Sequence, residues 1–383
     1  MLAHAQLAAT VPSPMPSRLV GAPVILGPPD SRVLAQRAND ALIVCALDST
    51  WRVQPGGEVR FPAPWPRDHS NWALAPDTSL AVFTGVHALQ AVDAAGTVRW
   101  EVRHGCWEGP CRQLHQSHAE YANRPDHKYP KSGSAGFSVD GKLVWAHVMG
   151  PLADDEPGQH GFEEWLVIDA GNGRVLAREV TETAAEGSDH IPHPADASQM
   201  GLSIGEGQDG APVRWGRWAD DHLAVDYIED DVVIMHVSPS GRWLMTVSHD
   251  MRRLAIRRTY GVPNLGDVEL NSEAVVPRRP EAKRKPYWEF AGGFLTVTAL
   301  IASTEKTYGK PGDGRHWLID ADGTHPLTEV AYPFPVLSHP TALGGGTWST
   351  VSDSGDALHV WTLAASSEIA QGQLFLTRFT GKG

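Results

Sequence analysis

Short β-type runs closed by tight-turn signals return along the whole chain at a spacing of about 40–55 residues, and this periodicity leaves few folds open. Residues 70–102 divide into NWALA, a turn at Pro76-Asp77, SLAVFTG, ALQAVD, a turn at Ala95-Gly96, and TVRWEV. The same order returns at 134–180: SAGFSV, Asp140-Gly141, KLVWAHV, EWLVID, Asn172-Gly173 and RVLAREV. It returns at 233–275 as VIMHVS, Pro239-Ser240-Gly241, RWLMTVS and RLAIRRT. Weaker copies stand near the start, at 197–229, at 287–330, and at the end as PTALG–TWSTVS–ALHVWTL–LFLTRF. Sustained helical periodicity is nearly absent. The pattern predicts an all-β protein of seven four-stranded antiparallel units.

These units resemble the blades of the β-propeller superfamily that includes WD40 and quinoprotein-like repeats. ALHVWTL (357–363) is similar to the third strand of a WD40 blade, and HALQAVDAAGTVRWEV (87–102) to a quinoprotein-type blade. The Gly-His and Trp-Asp dipeptides of WD40 blades are missing, so no specific family is singled out. The resemblance implies a single seven-bladed β-propeller. A tail at 1–19 would precede blades at about 20–55, 69–102, 134–180, 193–229, 232–275, 287–330 and 338–379. It carries over neither chemistry nor a quinone cofactor. How the ring closes is left open, since the first and last units each look complete.

Composition narrows the function classes. Hydrophobic residues make up 42% and charged residues 20%, which suits a folded chain, and 38 glycines with 29 prolines supply many turns. A formal charge of −13 argues against sequence-independent nucleic-acid binding and against docking on an anionic membrane. No apolar run is long enough to span a bilayer. The first residues, MLAHAQLAATVPSPMPSR, lack the basic start of a secretory signal, and three cysteines make no disulfide scaffold. A cytoplasmic protein is the simplest expectation. Most of the 14 tryptophans, among them Trp72, Trp145, Trp165, Trp243 and Trp317, fall in strands as expected of blade packing.

With strands A to D counted outward, the long segments are D–A or B–C connections. They are 55–69, 103–133, 149–163, 181–196, 276–287, 302–315 and 331–338, so long loops are expected to concentrate on one face. Twelve of the 18 histidines fall on or beside them. The densest group is HGCWEGPCRQLHQSH, residues 104–118. A short helix from Gly109-Pro110 would place Cys111, His115 and His118 on one face, with Cys106 and His104 just upstream. Thiolate and imidazole are ligands that zinc prefers, so Cys106, Cys111, His115 and His118 are candidate metal ligands. A Cys106–Cys111 disulfide or redox pair, or an ordinary polar loop, are the competing readings.

The 181–196 connection carries Asp189, His190 and His193, a second candidate metal set, against a solvated loop tip. Asp154, Asp155, Glu156 and His160 would add ligand-type groups to the same sector. Trp65 and Trp107 lie in Pro- or Gly-rich loops and, with Tyr332, are candidate binding anchors. The basic run at 277–285 and GEGQDG at 205–210 read as solvated loop and turn. Two functions remain. One is an interaction or scaffold protein binding a protein or peptide through the long-loop face. The alternative is a metal-dependent lyase or hydrolase acting on a small polar substrate, with a divalent metal, zinc first, at a His-rich channel mouth.

Overall fold

The computed structural model of the chain describes residues 2–16, 20–108, 111, 113–127, 131–155, 161–259, 267–278, 280, 285–304, 314–323 and 327–364. It is almost entirely antiparallel β-sheet. After β1 (Leu2–Pro12), β2 (Val24–Leu26), β3 (Val33–Arg37), β4 (Ala41–Leu47) and β5 (Val53–Pro62) form one four-stranded sheet in chain order. The next comprises β6 (Ser70–Leu74), β7 (Leu80–Gly85), β8 (Ala88–Asp93) and β9 (Val98–Arg103). A third holds β10 (Ser134–Phe137), β11 (Leu143–Met149), β12 (Glu163–Asp169) and β13 (Val175–Val180). A fourth holds β14 (Gly187–Pro192), β15 (Gln199–Gly205), β16 (Val213–Ala219) and β17 (His222–Glu229). The fifth holds β18 (Val232–Val237), β19 (Trp243–Ser248), β20 (Arg253–Arg258) and β21 (Val268–Asn271).

The last sheet has eight strands and corrects the reading of the chain start. It contains β22 (Trp288–Phe294), β23 (Ala299–Thr304), β24 (Arg315–Asp320) and β25 (Thr328–Ala331), then β26 (Thr341–Gly344), β27 (Thr347–Val351) and β28 (Ala357–Leu363). The order is β22-β23-β24-β25-β1-β28-β27-β26. The expected tail is therefore a strand over most of its length. β1 pairs antiparallel with β28 from Ala5↔Leu363 to Pro12↔Ala357, and its first residues pair parallel with β25 at Leu2↔Glu329. The expected fourth strand of the last unit, LFLTRF, lies outside the described residues; β1 is the strand beside β28. The sheets make six or seven blades, according to whether the eight-stranded sheet counts once or twice.

Local chemistry explains the strands. β11 and β12 lie in the middle of their sheet, and every residue of both but Asp169 is buried, so both faces take large apolar groups. The outer strand β13 is exposed along its last three residues. Between strands, short side chains hold the turns. Asp140 Oδ1 accepts from the Lys142 N–H at 3.1 Å and the Ser138 hydroxyl at 2.8 Å, with Gly141 at φ +73° completing the turn. Gly216 has a packing reason instead. A Cβ there would come within 2.6 Å of Trp145 and 2.8 Å of Trp165, whose rings fill that space.

Two compact units divide the chain: Met1–Leu34, Cys45–Gly56 and Ser238–Gly383 in one, Ala35–Val44 and Gly57–Val237 in the other. All the ligand-type clusters described below lie in the second. Antiparallel order puts three of its connections at the same end of the sheet β10–β13: the 104–133 link before β10, the 150–162 link between β11 and β12, and the link after β13. The first two touch, since the Ala153 N–H donates to Arg103 O at 3.0 Å and His104 bridges Leu152.

Candidate metal centre

The 104–127 insertion is anchored by its first residues. The N–H groups of His104 and Trp107 donate to the carbonyls of His87 and Val86, at 2.9 and 3.0 Å. The chain then doubles back on itself. The Cys106 N–H donates to Gln113 O at 3.0 Å, and the Cys111 N–H to Glu108 O at 2.9 Å, which brings both thiols to one place. Two short 3₁₀ turns follow, His118–Glu120 and Pro125–His127, and the second returns His127 to the thiols.

One donor atom from each of Cys106, Cys111, His115 and His127 lies within 4.8 Å of the other three. Cys106 Sγ is 3.2 Å from His127 Nε2, and Cys111 Sγ is 3.3 Å from His115 Nε2. Cys106, His115 and His127 are buried and Cys111 is half-buried. Each imidazole turns its other nitrogen to a carboxylate: His115 Nδ1 is 3.0 Å from Glu120 Oε2, and His127 Nδ1 is 3.1 Å from Asp126 Oδ1, though off the hydrogen-bond axis. A carboxylate at Nδ1 favours the tautomer with its proton there and leaves Nε2 as a lone-pair donor. Glu120 is fixed in turn by the Gln116 N–H, and Asp126 by Arg124.

Burial pushes the Cys106 thiol up to about 12, with Cys111 beside it adding to the rise. A bound cation would reverse that by stabilising the thiolate, because a coordinating thiol is deprotonated outright. Tyr121 and His87 wall the site. Tyr121 stacks on His127 with ring centroids 5.1 Å apart, and its hydroxyl meets His87 Nδ1 at 2.7 Å. Desolvation and the neighbouring imidazoles hold His87 down at about 4. Two thiols and two imidazoles with carboxylates behind them form a donor set that could hold a tetrahedral divalent ion.

Three of the four sequence candidates are thus together, and the fourth is not. His118 Nε2 lies 3.0 Å from His69 Nδ1 and is not one of the four clustered donors. The expected helix is absent, since residues 113–117 are irregular and the first helical turn begins at His118; Gly109, Pro110 and Arg112 lie outside the described residues. His127 takes the fourth place. Its only sequence signal is a histidine in the same insertion with a carboxylate beside it, a pairing that Asp68-His69 and Asp189-His190 share.

The second candidate set does not converge on a metal. Asp189 and His190 lie on β14, where a loop was expected, because the segment pairs with β15 from Gly187↔Gly205 to Pro192↔Met200. Asp189 is exposed and accepts from the His190 N–H. Both nitrogens of the buried His190 are engaged: Nδ1 meets the Ser134 hydroxyl at 2.9 Å, and Nε2 accepts from Trp165 Nε1 at 3.0 Å. His193 Nδ1 accepts from the Ala195 N–H at 3.2 Å. Asp155 accepts from the Leu152 N–H and pairs with Arg178, while Asp154 is near neither group of ligands in any recorded contact. Glu156 and His160 lie outside the described residues.

Two of the three candidate anchors are interior and the third is half-buried. Trp65 and Trp107 are 5% and 3% exposed, too little for either ring to grip a partner. Trp65 packs on Gly85, where a Cβ would come within 2.7 Å of its ring. Trp107 stands edge-on to His147, with centroids 5.4 Å apart. Tyr332 is half-buried, and its hydroxyl takes Trp348 Nε1 at 2.8 Å and meets His316 Nδ1 at 2.6 Å.

No family model matches the chain, and no curated protein is similar to it in sequence. Solved structures are similar in fold. Hydrazine synthase of Kuenenia stuttgartiensis is 13% identical with a TM-score of 0.54, covering 93% of this chain and 99% of its own. A prolyl endopeptidase is 11% identical with a TM-score of 0.54 over 93% of this chain, which spans only 53% of that enzyme. The β-propeller domain of Cps50 (Swd1) from Myceliophteria thermophila is 12% identical over 94% of this chain, with a TM-score of 0.48. The fold is that of a β-propeller. At these identities the likeness extends to the fold alone, and no specific family is indicated. Among the described residues no helix is long and apolar enough to cross a membrane.

Proposed function

We propose that the chain is a seven-bladed β-propeller interaction protein, with Zn²⁺ held by Cys106, Cys111, His115 and His127 as a structural fastening for its longest described insertion. In this reading the eight-stranded sheet is two blades, with β1 serving as the outer strand of the last. The observation that carries the proposal is the fourth ligand. A catalytic zinc keeps one position for water or substrate, whereas His127 here completes a set of four protein donors. The alternative of a metal-activated hydrolase or lyase loses its main support at that point. Thiolate ligands also suit the reducing cytoplasm expected from the sequence.

A partner would be a protein or peptide, gripped where the 104–127 and 150–162 links emerge together. Leu114 and Phe162, in those links, are 36% and 59% exposed, and they replace Trp65 and Trp107 as anchors. Removing zinc would release the first link and the grip with it.

Elemental analysis of the purified full chain tests the metal: one zinc per chain is expected, lost in His127→Ala and kept in His118→Ala. A photocrosslinker at position 162 tests the grip. It is expected to capture a defined partner only while zinc is bound, and more strongly than the same probe at position 141, at the opposite end of the same sheet. Equal capture from both positions would end the interaction reading.

A further inference from the structure

The four ligands are unequal in a way that matters for oxidation. Cys106 is fully buried, while Cys111 is half-buried and so the more accessible of the two cysteines. The two are five residues apart in sequence, their sulfurs lie within 4.8 Å, and both are free thiols. The Cys111–Glu108 and Cys106–Gln113 backbone hydrogen bonds hold the two cysteines together even before a metal is considered. A tetrahedral zinc would hold the sulfurs about 3.8 Å apart, from bonds of about 2.3 Å. A disulfide needs about 2 Å. The third cysteine, Cys45, is buried in β4 and belongs to no such cluster.

We propose that this centre is a modification site: Cys111 is oxidised by hydrogen peroxide and resolved by Cys106, and the disulfide so formed expels the metal. This rests on the zinc reading above. The Cys111 thiolate attacks one peroxide oxygen, the O–O bond breaks, and with one proton taken up the products are a Cys111 sulfenic acid and water. The Cys106 thiolate then attacks the Cys111 sulfur, and the S–O bond breaks as hydroxide leaves and is protonated to a second water. The sulfur pair has given two electrons to the peroxide, and two protons have been consumed. Zinc leaves as Zn²⁺, because both its sulfur bonds are gone and two imidazoles alone are a poor site. Proximity favours this outcome over further oxidation, since Cys106 lies within 4.8 Å of the sulfenic acid's sulfur and can resolve it. The 104–127 insertion would then loosen where the partner-binding link begins, making capture depend on oxidant.

The test uses the full wild-type chain, purified reduced and assayed for zinc before anything is added. Hydrogen peroxide is added in small excess, released zinc is read with a chromogenic chelator, and peptides are mapped without reduction. The expected result is one zinc released per Cys106–Cys111 disulfide, reversed by a dithiol with added zinc. Zinc that is present at the start and stays bound while both thiols survive would overturn the switch and leave the metal centre standing. Release accompanied by sulfinic or sulfonic acid at Cys111, or by a disulfide to Cys45, would also overturn it. A reduced chain that carries no zinc at the start would instead defeat the metal reading on which the switch depends.

Discussion

Two segments of the same compact unit carry the same residue types and use them in opposite ways. In the 104–127 insertion, donor atoms of two thiols and two imidazoles lie within 4.8 Å of one another, with carboxylates behind the imidazoles. On and just after β14, Asp189, His190 and His193 are as ligand-like in sequence, but both nitrogens of His190 and Nδ1 of His193 already have protein partners. His190 is one member of a buried chain: Glu163 Oε2 lies 3.5 Å from His147 Nε2, His147 Nδ1 3.0 Å from Ser188 Oγ, Ser188 Oγ 2.6 Å from Ser134 Oγ, and Ser134 joins His190. Ligand chemistry therefore depends less on which residues are present than on whether their donor atoms converge on one another, as the thiols and Nε2 atoms do, or are spent singly on the surrounding protein. An irregular loop can arrange that, whereas a strand sends neighbouring side chains to opposite faces.

The sharpest way to break the comparison is metal content. His127→Ala removes a ligand that no sequence pattern singled out, and zinc stoichiometry is expected to fall from one per chain to near zero after gel filtration. His193→Ala, on the other segment, should leave it at one. Retention in His127→Ala would mean that the zinc is held without His127, at another site or with a different fourth ligand.

Stability separates the two segments in the other direction. His190→Ala strands Trp165 Nε1 in the interior, while the Ser134 hydroxyl keeps Ser188, and a buried unsatisfied group costs about 1–3 kcal/mol. With the lost packing, a destabilisation of about 3 kcal/mol is expected, read as a lower urea midpoint with zinc content unchanged. A loss below about 0.5 kcal/mol would mean that the network is dispensable.

These outcomes bear on what the sequence could disclose. Strands in the middle of sheets were legible because burial on both faces writes itself into runs such as KLVWAHV and EWLVID, and Asp-Gly and Asn-Gly mark their turns. β1 was not, since LAHAQLAATVP is a strand only through β25 and β28 at the far end of the chain. Cys106, Cys111 and His115 were legible from local density. His127 was not, because the turns that return it depend on local folding that leaves no periodic trace. Trp65 and Trp107 misled for a related reason: a tryptophan in a Pro- or Gly-rich loop is exposed only if the loop does not fold back over it, and these loops do.

A smaller effect should come from the carboxylate behind the metal ligand. Glu120→Gln keeps the shape but weakens the group that orients His115, and such outer partners are worth about 10–100-fold in metal affinity. Competition with a chelator is expected to show a weakening in that range. Asp126→Asn should do less, because its approach to His127 is off-axis. An order reversed between the two variants would show that His127, not His115, is the more dependent ligand.

The smallest difference is one of pH. Burial holds His190 well below the ordinary histidine range, with His147 adding to the depression, so the native state keeps it neutral while the unfolded chain takes up a proton below about pH 6.5. The unfolded state then binds more protons, and the stability present above pH 6.5 is lost as pH falls below it. The slope is about 1.4 kcal/mol per pH unit for one such group once the unfolded form is fully charged, and about 1 kcal/mol between pH 6.5 and 5.5. His316, held at about 3 by burial and by His339, contributes with the same sign in the other compact unit. His190→Asn should therefore be less stable at pH 7 yet lose about 1 kcal/mol less on going to pH 5.5, read from urea midpoints of chelated protein at both pH values. Parallel losses in wild type and variant would mean that His190 already carries its proton in the folded chain. A cationic His190 could not accept from Trp165 Nε1, and the contrast between the two segments would have to be redrawn.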